Sequence, residues 1–207
     1  MTAPTRREAL LGTMALMLAG CGSRVAAQAQ ARAATPRARA LIETARRQVG
    51  VTLLYDPDYS RLPYPGGDVP RFKGVCTDVV VRAYRDAFGI DLQRDVHEDM
   101  AGHFAAYPHK WGLPGPDSNI DHRRVPNLAT FWTRAHSRLP IPAKPLDWQP
   151  GDLFTQLIDG LHTHVGIVSD RVALNGNPLV IHNIGAGARE EDKLFAYQLT
   201  GRFRWRV

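Results

Sequence analysis

The residue pattern changes near position 150, and this change limits the possible folds more than any other feature of the chain. Before it, apolar residues recur at helical spacing; after it, short runs rich in β-branched residues alternate with turn residues. The spacing predicts helices at 36–49, 75–88, 95–106 and 127–137. It predicts strands at 151–158, 164–169, 179–183, 193–199 and 202–207. Helices followed by closely spaced strands indicate an α+β fold, with N-terminal helices packed on one face of a C-terminal antiparallel β-sheet.

The first twenty residues have the composition of an export signal. Arg6 and Arg7 precede an apolar stretch at 9–19, which is too short to span a bilayer as a mature helix. The sequence at 18–21, Leu-Ala-Gly-Cys, resembles a bacterial lipobox, in which the cysteine sulfur is acylated. We therefore predict the following organisation: a signal peptide at 1–20, a membrane-attaching lipid on Cys21, a flexible tether at 21–35 and a single domain at 36–207.

Two alternatives for export stay open. Residues 5–11 also resemble a twin-arginine signal, so the sequence does not choose between the general and the twin-arginine route. An ordinary signal peptide cut near residues 27–29 would discard Cys21. By each of these routes the mature protein is expected outside the cytoplasm, in the periplasm, and membrane-anchored if Cys21 is lipidated.

Charge and composition narrow the classes of partner. The chain has 207 residues, 44% of them hydrophobic and 22% charged, as in a soluble globular protein that buries a sizeable core. The net charge of +6 is spread without any run of five like charges. We therefore expect no nucleic-acid partner. An acidic cell wall and an anionic lipid surface both fit this net charge, and the charge does not choose between them.

The chain has two cysteines, and export leaves one of them unpaired. Cys21 is either lipidated or removed, so Cys76 has no partner in a compartment that oxidises thiols. Cys76 is then either an inert core thiol or a reactive one. It begins a helix, three and four residues before the apolar Val79 and Val80, so it should be buried in the first turn. Because the N-terminus of a helix favours negative charge, this position predicts a lowered pKa for the thiol.

Two histidines on predicted strands could complete a catalytic set with Cys76. A nucleophilic cysteine needs a base within hydrogen-bonding reach and a polar group that orients the base. His164 starts one strand and could be the base, and His182 lies on the next strand and could be the orienting group. Because side chains alternate along a strand, both histidines lie on one sheet face only if the numbers of directly paired residues add to an even sum, which is called an even register here. We predict a wide loop at 170–176 that sets His164 opposite His182, in place of a tight two-residue turn, which would separate them.

This order of residues resembles that of the NlpC-type cell-wall peptidases, a branch of the papain-like fold. The matching segments are Cys76, Gly151-Asp152-Leu153, His164-Val165-Gly166-Ile167-Val168 and His182. The Asp-Cys-Ser-Gly signature of that group is absent, and Val75-Cys76-Thr77-Asp78 stands in its place. The resemblance implies a papain-like fold with Cys76, His164 and His182 as the catalytic residues.

The chain is more similar to a YijF-like family of unknown function, usually placed near those peptidases. The matching segments are 67–70, 74–80, 96–100, 119–127 and 182–185. This resemblance implies an amidase-like fold without naming a substrate. One departure is Arg202, where the family pattern has histidine, so no role is carried over to that position.

The function expected from these features is a thiol-dependent amide hydrolase of the bacterial envelope that needs no cofactor. Its substrate would be a peptidoglycan peptide or the bond between muramic acid and the peptide. The same residues could instead serve an acyl or peptidyl transferase, or the chain could be a non-catalytic peptidoglycan-binding lipoprotein. A metal site on His162, His164 and either His182 or Asp152 is a further alternative, but it would leave Cys76 unexplained.

A dense group of charged residues is the candidate substrate-binding region. Arg123 or Arg124 could bind a substrate carboxylate through two parallel hydrogen bonds, or could hold the loop in place. Stem peptides of peptidoglycan carry several free carboxylates, so this chemistry fits the expected substrate. Asp78 could contact substrate or hold the loop before Cys76. The other candidates in this region are Asp121 and His122.

Overall fold

The computed structural model describes residues 33–207. The predicted signal peptide at 1–20, the lipidation of Cys21 and all but the end of the tether at 21–35 lie outside the described residues, and those predictions stay untested. Within the described part, no helix is both long and apolar enough to cross a membrane.

Residues 34–207 fold as one unit with helices before strands. The helices are α1 (Pro36–Arg46), α2 (Cys76–Phe88), α3 (Leu92–His103) and α4 (Val125–Arg134). Short 3₁₀ helices span Phe104–Ala106, Asp121–Arg123 and Pro145–Asp147. The strands are β1 (Leu54–Tyr55), β2 (Lys73–Gly74), β3 (Arg138–Leu139), β4 (Leu153–Ile158), β5 (His162–Val172), β6 (Pro178–Asn183), β7 (Ala188–Glu191) and β8 (Gln198–Phe203).

The strands form two sheets, and the larger one confirms the predicted α+β class. Its six antiparallel strands follow the order β3-β8-β4-β5-β6-β7. β1 and β2 form a separate parallel pair just before α2. The order places β4, β5 and β6 at the centre, so the strands that carry His164 and His182 are flanked on both sides.

Alternation along the strands divides the core between the two faces of the sheet. Odd-numbered Val165 and Ile167 on β5 pack with α1 and α2 in the main cluster, whereas Val168 faces the other way. The second face carries a smaller cluster formed by Trp148, Phe154, Val168, Val180 and Leu194. The sheet is therefore buried on both faces, and side chains at even positions of β5 and β6 lie opposite the helices.

Helix α2 crosses the main cluster, and its boundaries follow from its sequence. Gly89 ends it with a φ of +66°, a left-handed conformation that glycine adopts without steric cost. Its apolar stripe of Val79, Val80 and Ala83 is fully buried. Thr44 Oγ1 of α1 also donates to the Ala83 carbonyl at 3.0 Å, and Gln48 Nε2, just after α1, donates to the Val79 carbonyl at 2.8 Å. The first turn of α2, which carries Cys76, is thus fixed against both α1 and the sheet.

Predicted helix boundaries differ from the observed ones by up to three residues, and α3 and α4 end at His103 and Arg134 rather than at 106 and 137. α1 ends at Arg46 and not at Val49, because turns lead into Gly50, whose φ is +79°. α3 begins at Leu92 and not at Asp95, because the Asp91 side chain caps it by accepting a hydrogen bond from the Gln93 N–H at 3.1 Å. α4 begins at Val125, ahead of the predicted cap at Asn127.

The predicted strand at 193–199 is wrong over most of its length. The predicted break between 199 and 202 is also wrong, because one strand, β8, spans Gln198–Phe203. The outer neighbour of β6 in the sheet is β7, whose sequence Ala-Arg-Glu-Glu has no apolar alternation. Its charges are satisfied by ion pairs, such as Glu190 with Arg46 at 2.8 Å. Leu194 reaches the second core cluster from a turn, which explains the misleading apolar signal. β8 then runs through Gly201, where an added Cβ would lie 2.7 Å from the Phe203 ring.

Candidate active site

Cys76 is the first residue of α2 and is only 3% exposed, as predicted. The loop before it is held from two sides. Asp78 Oδ2 accepts a hydrogen bond from the Val75 N–H at 2.7 Å. Asn183 Nδ2 donates to the Gly74 carbonyl at 3.0 Å, which ties the loop to the end of β6. Residues far apart in sequence are thus fixed together around the thiol.

The thiol lies where the β5–β6 ladder stops. The Val168 N–H donates to the carbonyl of Asp152, just before β4, so by alternation the Val165 N–H points toward β6. The paired register between β5 and β6 ends at Ile167–Ile181, two residues short of Val165. The Val165 N–H lies instead near the Cys76 sulfur, where it acts to lower the pKa of the thiol. Cys76 therefore occupies the open end of the ladder, beside the residue that follows His164.

His164 and His182 share one sheet face and are hydrogen-bonded to each other. His164 Nε2 lies 2.8 Å from His182 Nδ1, and the two rings pack edge to face. Both residues are buried on the face that carries Phe154, opposite the helices. This bond uses Nε2 of His164 and leaves Nδ1 as the other ring nitrogen, while Cys76 packs in the core cluster on the helix side of the sheet. Among the described residues, no direct hydrogen bond joins the Cys76 thiol to His164.

The predicted register was right in parity and wrong by two residues. The pairs Ile167–Ile181 and Val168–Val180 place His182 level with Gly166, so His164 is its diagonal neighbour and not its direct partner. The hairpin turn pairs Ala173 with Asn177, and a register shift between Val168 and Val172 absorbs the difference. An even register keeps both imidazoles on one face, and this is what the hydrogen bond between them requires.

The protonation states differ from those expected of a preformed ion pair. Burial raises the pKa of the Cys76 thiol to about 11, although backbone N–H groups of Val165, Thr77 and Cys76 act to lower it. The predicted lowering of this pKa is therefore wrong, because lost hydration outweighs the helix N-terminus. Burial lowers the pKa of His164 to about 3 and also lowers that of His182. At neutral pH the site holds a neutral thiol and neutral imidazoles.

Two further residues contact this group and were not identified from the sequence. Glu191 Oε1 on β7 lies 3.0 Å from His182 Nε2, which extends the hydrogen-bonded series by one member. Tyr55 lines the same cleft as Cys76, and burial raises the pKa of Tyr55 to about 12. Glu191 belongs to a strand that was not predicted. No sequence signal marked either of them.

Arg123 and Asp78 form a buried ion pair that holds the site together. Arg123 Nε and Nη2 donate to the two Asp78 oxygens at 3.1 and 3.0 Å. The same guanidinium also donates to the carbonyls of Asp56 and Asp58. Each of the three guanidinium nitrogens of Arg123 therefore donates a hydrogen bond within the protein. Of the two roles considered for Asp78, these contacts support holding the loop before Cys76.

Asp121 and His122 lie inside the protein rather than on an open surface. Asp121 Oδ2 contacts His97 Nδ1 at 2.9 Å, while its Oδ1 has no partner among the described residues. His122 is 2% exposed, and burial lowers its pKa to about 3. Together with Arg123 they form the 3₁₀ helix that leads through Arg124 into α4.

Arg123 and Arg124 both line a cleft that Cys76 also lines, but in the described part of the chain only Arg123 is paired with a carboxylate. The cleft has a volume of about 180 Å³ and is lined by Tyr55, Pro57, Val75, Cys76, Trp111, Ile120, Arg123, Arg124, Val125, Pro126 and Thr163. The Arg124 guanidinium stacks 4.0 Å from the centre of the Trp111 ring. Within residues 33–207 it forms no ion pair with a carboxylate. It is therefore a positioned cation with free hydrogen-bond donors.

Asp152 is occupied by structural contacts. Its oxygens accept from Arg202 Nε at 2.7 Å and Arg204 Nε at 2.8 Å, and the carboxylate is fully buried. Arg202, the departure from the family pattern, thus anchors β8 to the start of β4. Across residues 33–207, no group of three or more His, Cys, Asp or Glu side chains is arranged to share a metal ion.

Comparison with known proteins agrees with the resemblance drawn from the sequence. Residues 42–205 match the family described as Domain of unknown function (DUF1287). The uncharacterized protein YijF of Escherichia coli (strain K12) is 55% identical over 168 residues, which cover 81% of this chain and 82% of YijF. The solved structure of NlpC1 from Trichomonas vaginalis aligns with 84% of this chain at 18% identity and a TM-score of 0.45, and this chain spans 45% of its length. The family match and the identity to YijF show that the chain belongs to the DUF1287 family.

Proposed function

We propose that the protein is a thiol-dependent amide hydrolase of the cell envelope, with Cys76 as nucleophile and His164 as general base. One observation carries the proposal: Cys76 begins α2 beside Val165 of β5, and the residue before Val165, His164, is hydrogen-bonded to His182 at 2.8 Å. Nucleophile, base and orienting group are the three parts that cysteine-based acyl transfer needs.

The neutral resting state favours general-base catalysis over a standing thiolate. As the sulfur attacks the amide carbonyl, its proton passes to His164 Nδ1 and the carbonyl oxygen becomes negative. The Cys76 backbone N–H at the start of α2 and the Tyr55 hydroxyl are the donors available to that oxyanion. The C–N bond then breaks, the amine leaves with the proton from His164, and a thioester on Cys76 remains. Water hydrolyses the thioester, with His164 again acting as base, and the free thiol returns.

The Arg124–Trp111 pair supports a substrate with a free carboxylate near the scissile amide. A guanidinium held on an aromatic face can bind a carboxylate through two parallel hydrogen bonds. It lines the same cleft as Cys76, so one ligand can contact both. Peptidoglycan stem peptides combine amide bonds with free carboxylates, and the export signal predicted at 1–20 supports access to them. We therefore propose a peptidoglycan peptide or muramoyl-peptide amide as substrate.

Arg124 provides the test of carboxylate recognition. We expect Arg124→Ala to raise KM by about 10-fold to 100-fold, because a hydrogen-bonded charge pair contributes about 1.5–3 kcal/mol. Rates are measured on stem peptides carrying a free carboxylate and on the same peptides with that carboxylate amidated. The wild type should prefer the free carboxylate, and the variant should lose this preference. Equal preference in both proteins would remove Arg124 from substrate binding.

The activity itself is tested by incubating purified peptidoglycan with the protein and measuring fragment masses. The proposal predicts fragments with a new amine and a new carboxylate at one kind of amide bond. An intact polymer, recovered with a protein that still binds it, would contradict hydrolysis and support the non-catalytic binding alternative.

A further inference from the structure

The hydrogen-bonded series behind His164 does not end at His182. His164 Nε2 lies 2.8 Å from His182 Nδ1, and His182 Nε2 lies 3.0 Å from Glu191 Oε1. The two imidazoles are 2% and 0% exposed, whereas the Glu191 side chain is 31% exposed. Two buried aromatic bases are thus connected to one carboxylate at the edge of the protein.

We propose that Glu191 is a positioning residue that sets the tautomer of both histidines, so that His164 presents an unprotonated Nδ1 to Cys76. This inference rests on the proposed function, because it concerns the base of that reaction. Nothing in the family comparison or in the sequence pattern assigns Glu191 a role.

The argument follows from which atoms can donate a proton. An ionised carboxylate only accepts hydrogen bonds, so His182 Nε2 must carry the hydrogen in its bond to Glu191. A neutral imidazole carries one N–H, which leaves His182 Nδ1 as an acceptor. His164 Nε2 must then be the donor between the two rings, and His164 Nδ1 keeps its lone pair. One carboxylate thereby fixes the direction of every hydrogen bond in the series.

The opposite direction would disable the base. Without Glu191, His182 can place its hydrogen on Nδ1 and donate to His164 Nε2. His164 would then carry its own hydrogen on Nδ1, the nitrogen meant to receive the thiol proton. Burial keeps both imidazoles neutral, so each ring carries only one N–H. The two hydrogen-bond directions are therefore mutually exclusive. Of the charged groups that act on His182, Glu191 raises its pKa and Lys193 lowers it, and only Glu191 is hydrogen-bonded to the ring.

Substitution of Glu191 separates tautomer control from simple structural support. We expect Glu191→Leu to lower kcat by about 10-fold to 100-fold with little change in KM, since a misdirected base affects the chemical step and not binding. Glu191→Gln should retain most activity, because its amide oxygen can accept the same bond from His182. Asp192→Ala is the matched control: its neighbouring carboxylate contacts Asn175 and Asn177 at the hairpin tip and should leave kcat unchanged.

Nitrogen-15 NMR of the imidazoles reads the tautomers without any substrate. The wild type and Glu191→Gln should show His164 and His182 protonated at Nε2, and Glu191→Leu should show a mixture or the reverse. Wild-type tautomers in Glu191→Leu would overturn the inference, even if the protein hydrolyses peptidoglycan. Conversely, a protein without hydrolase activity could still show the tautomer change, so the two proposals fail separately.

Discussion

Replacing Cys76 with alanine should abolish release of peptidoglycan fragments, lowering the rate by about 10⁴-fold or more. The sulfur is the only atom in this account that bonds to the substrate, so His164 has no nucleophile to activate in the variant. Fragment release is measured by mass spectrometry over a time course with equal amounts of each protein. Because Cys76 packs in the main core cluster, the urea unfolding midpoint of the variant is compared with that of the wild type.

Two controls make this comparison decisive. Cys76→Ser keeps a hydrogen-bonding group of similar size and should also be inactive, because a hydroxyl is a far weaker nucleophile than a thiol beside the same base. Asp192→Ala removes a carboxylate that follows β7 and contacts Asn175 at the β5–β6 hairpin tip, and this variant should be fully active. A Cys76→Ala variant that is folded and keeps more than about a tenth of the wild-type rate would contradict the assignment of the nucleophile.

Replacing Asp78 with alanine should destabilise the domain by about 3–5 kcal/mol, the cost of leaving a buried charge without its partner. The Asp78 and Arg123 side chains are 4% and 3% exposed, so Arg123 cannot recover its hydration when the carboxylate is removed. The variant also loses the acceptor for the Val75 N–H at the start of α2. Urea unfolding gives the free energy directly. The expected loss is a large fraction of the stability of a typical domain.

Asp86 on the same helix is the matched control for Asp78. Its two carboxylate oxygens accept hydrogen bonds from Arg71 Nη1 and Nη2 at 2.6 and 2.7 Å, but the Arg71 side chain is 48% exposed. Asp86→Ala should cost less than about 1 kcal/mol, because water replaces the lost partner. Equal effects of the two substitutions would show that Arg123 and Asp78 do not form a buried structural pair.

The fold was largely predictable because its helices and central strands carry clear apolar periodicity. α2 was predicted to within one residue, and β4, β5 and β6 were recognised, because their buried faces require apolar residues. β7 was missed because its side chains are satisfied by ion pairs rather than by apolar packing. Apolar periodicity cannot identify a strand of this kind.

The site was predictable in its residue types and less so in its energetics. Cys76 was correctly expected to be buried at a helix start, and the two histidines to share a sheet face. The shift of the thiol pKa depends on burial, which a local helix argument does not include. The separate contacts of Arg123 and Arg124 depend on which side chain faces Asp78 and which stacks on Trp111. Adjacent identical residues give no sequence signal for that difference.

The central claim is that a thioester forms on Cys76, and hydroxylamine tests it most directly. This amine attacks the thioester carbonyl, breaks the C–S bond and releases the acyl group as a hydroxamate, with the thiol restored. Peptidoglycan digested by the wild type in hydroxylamine should yield fragments ending in hydroxamates in place of carboxylates, and Cys76→Ala should yield neither. Fragments that end only in carboxylates at saturating hydroxylamine would mean that water attacks the amide without a thioester, and would contradict the account.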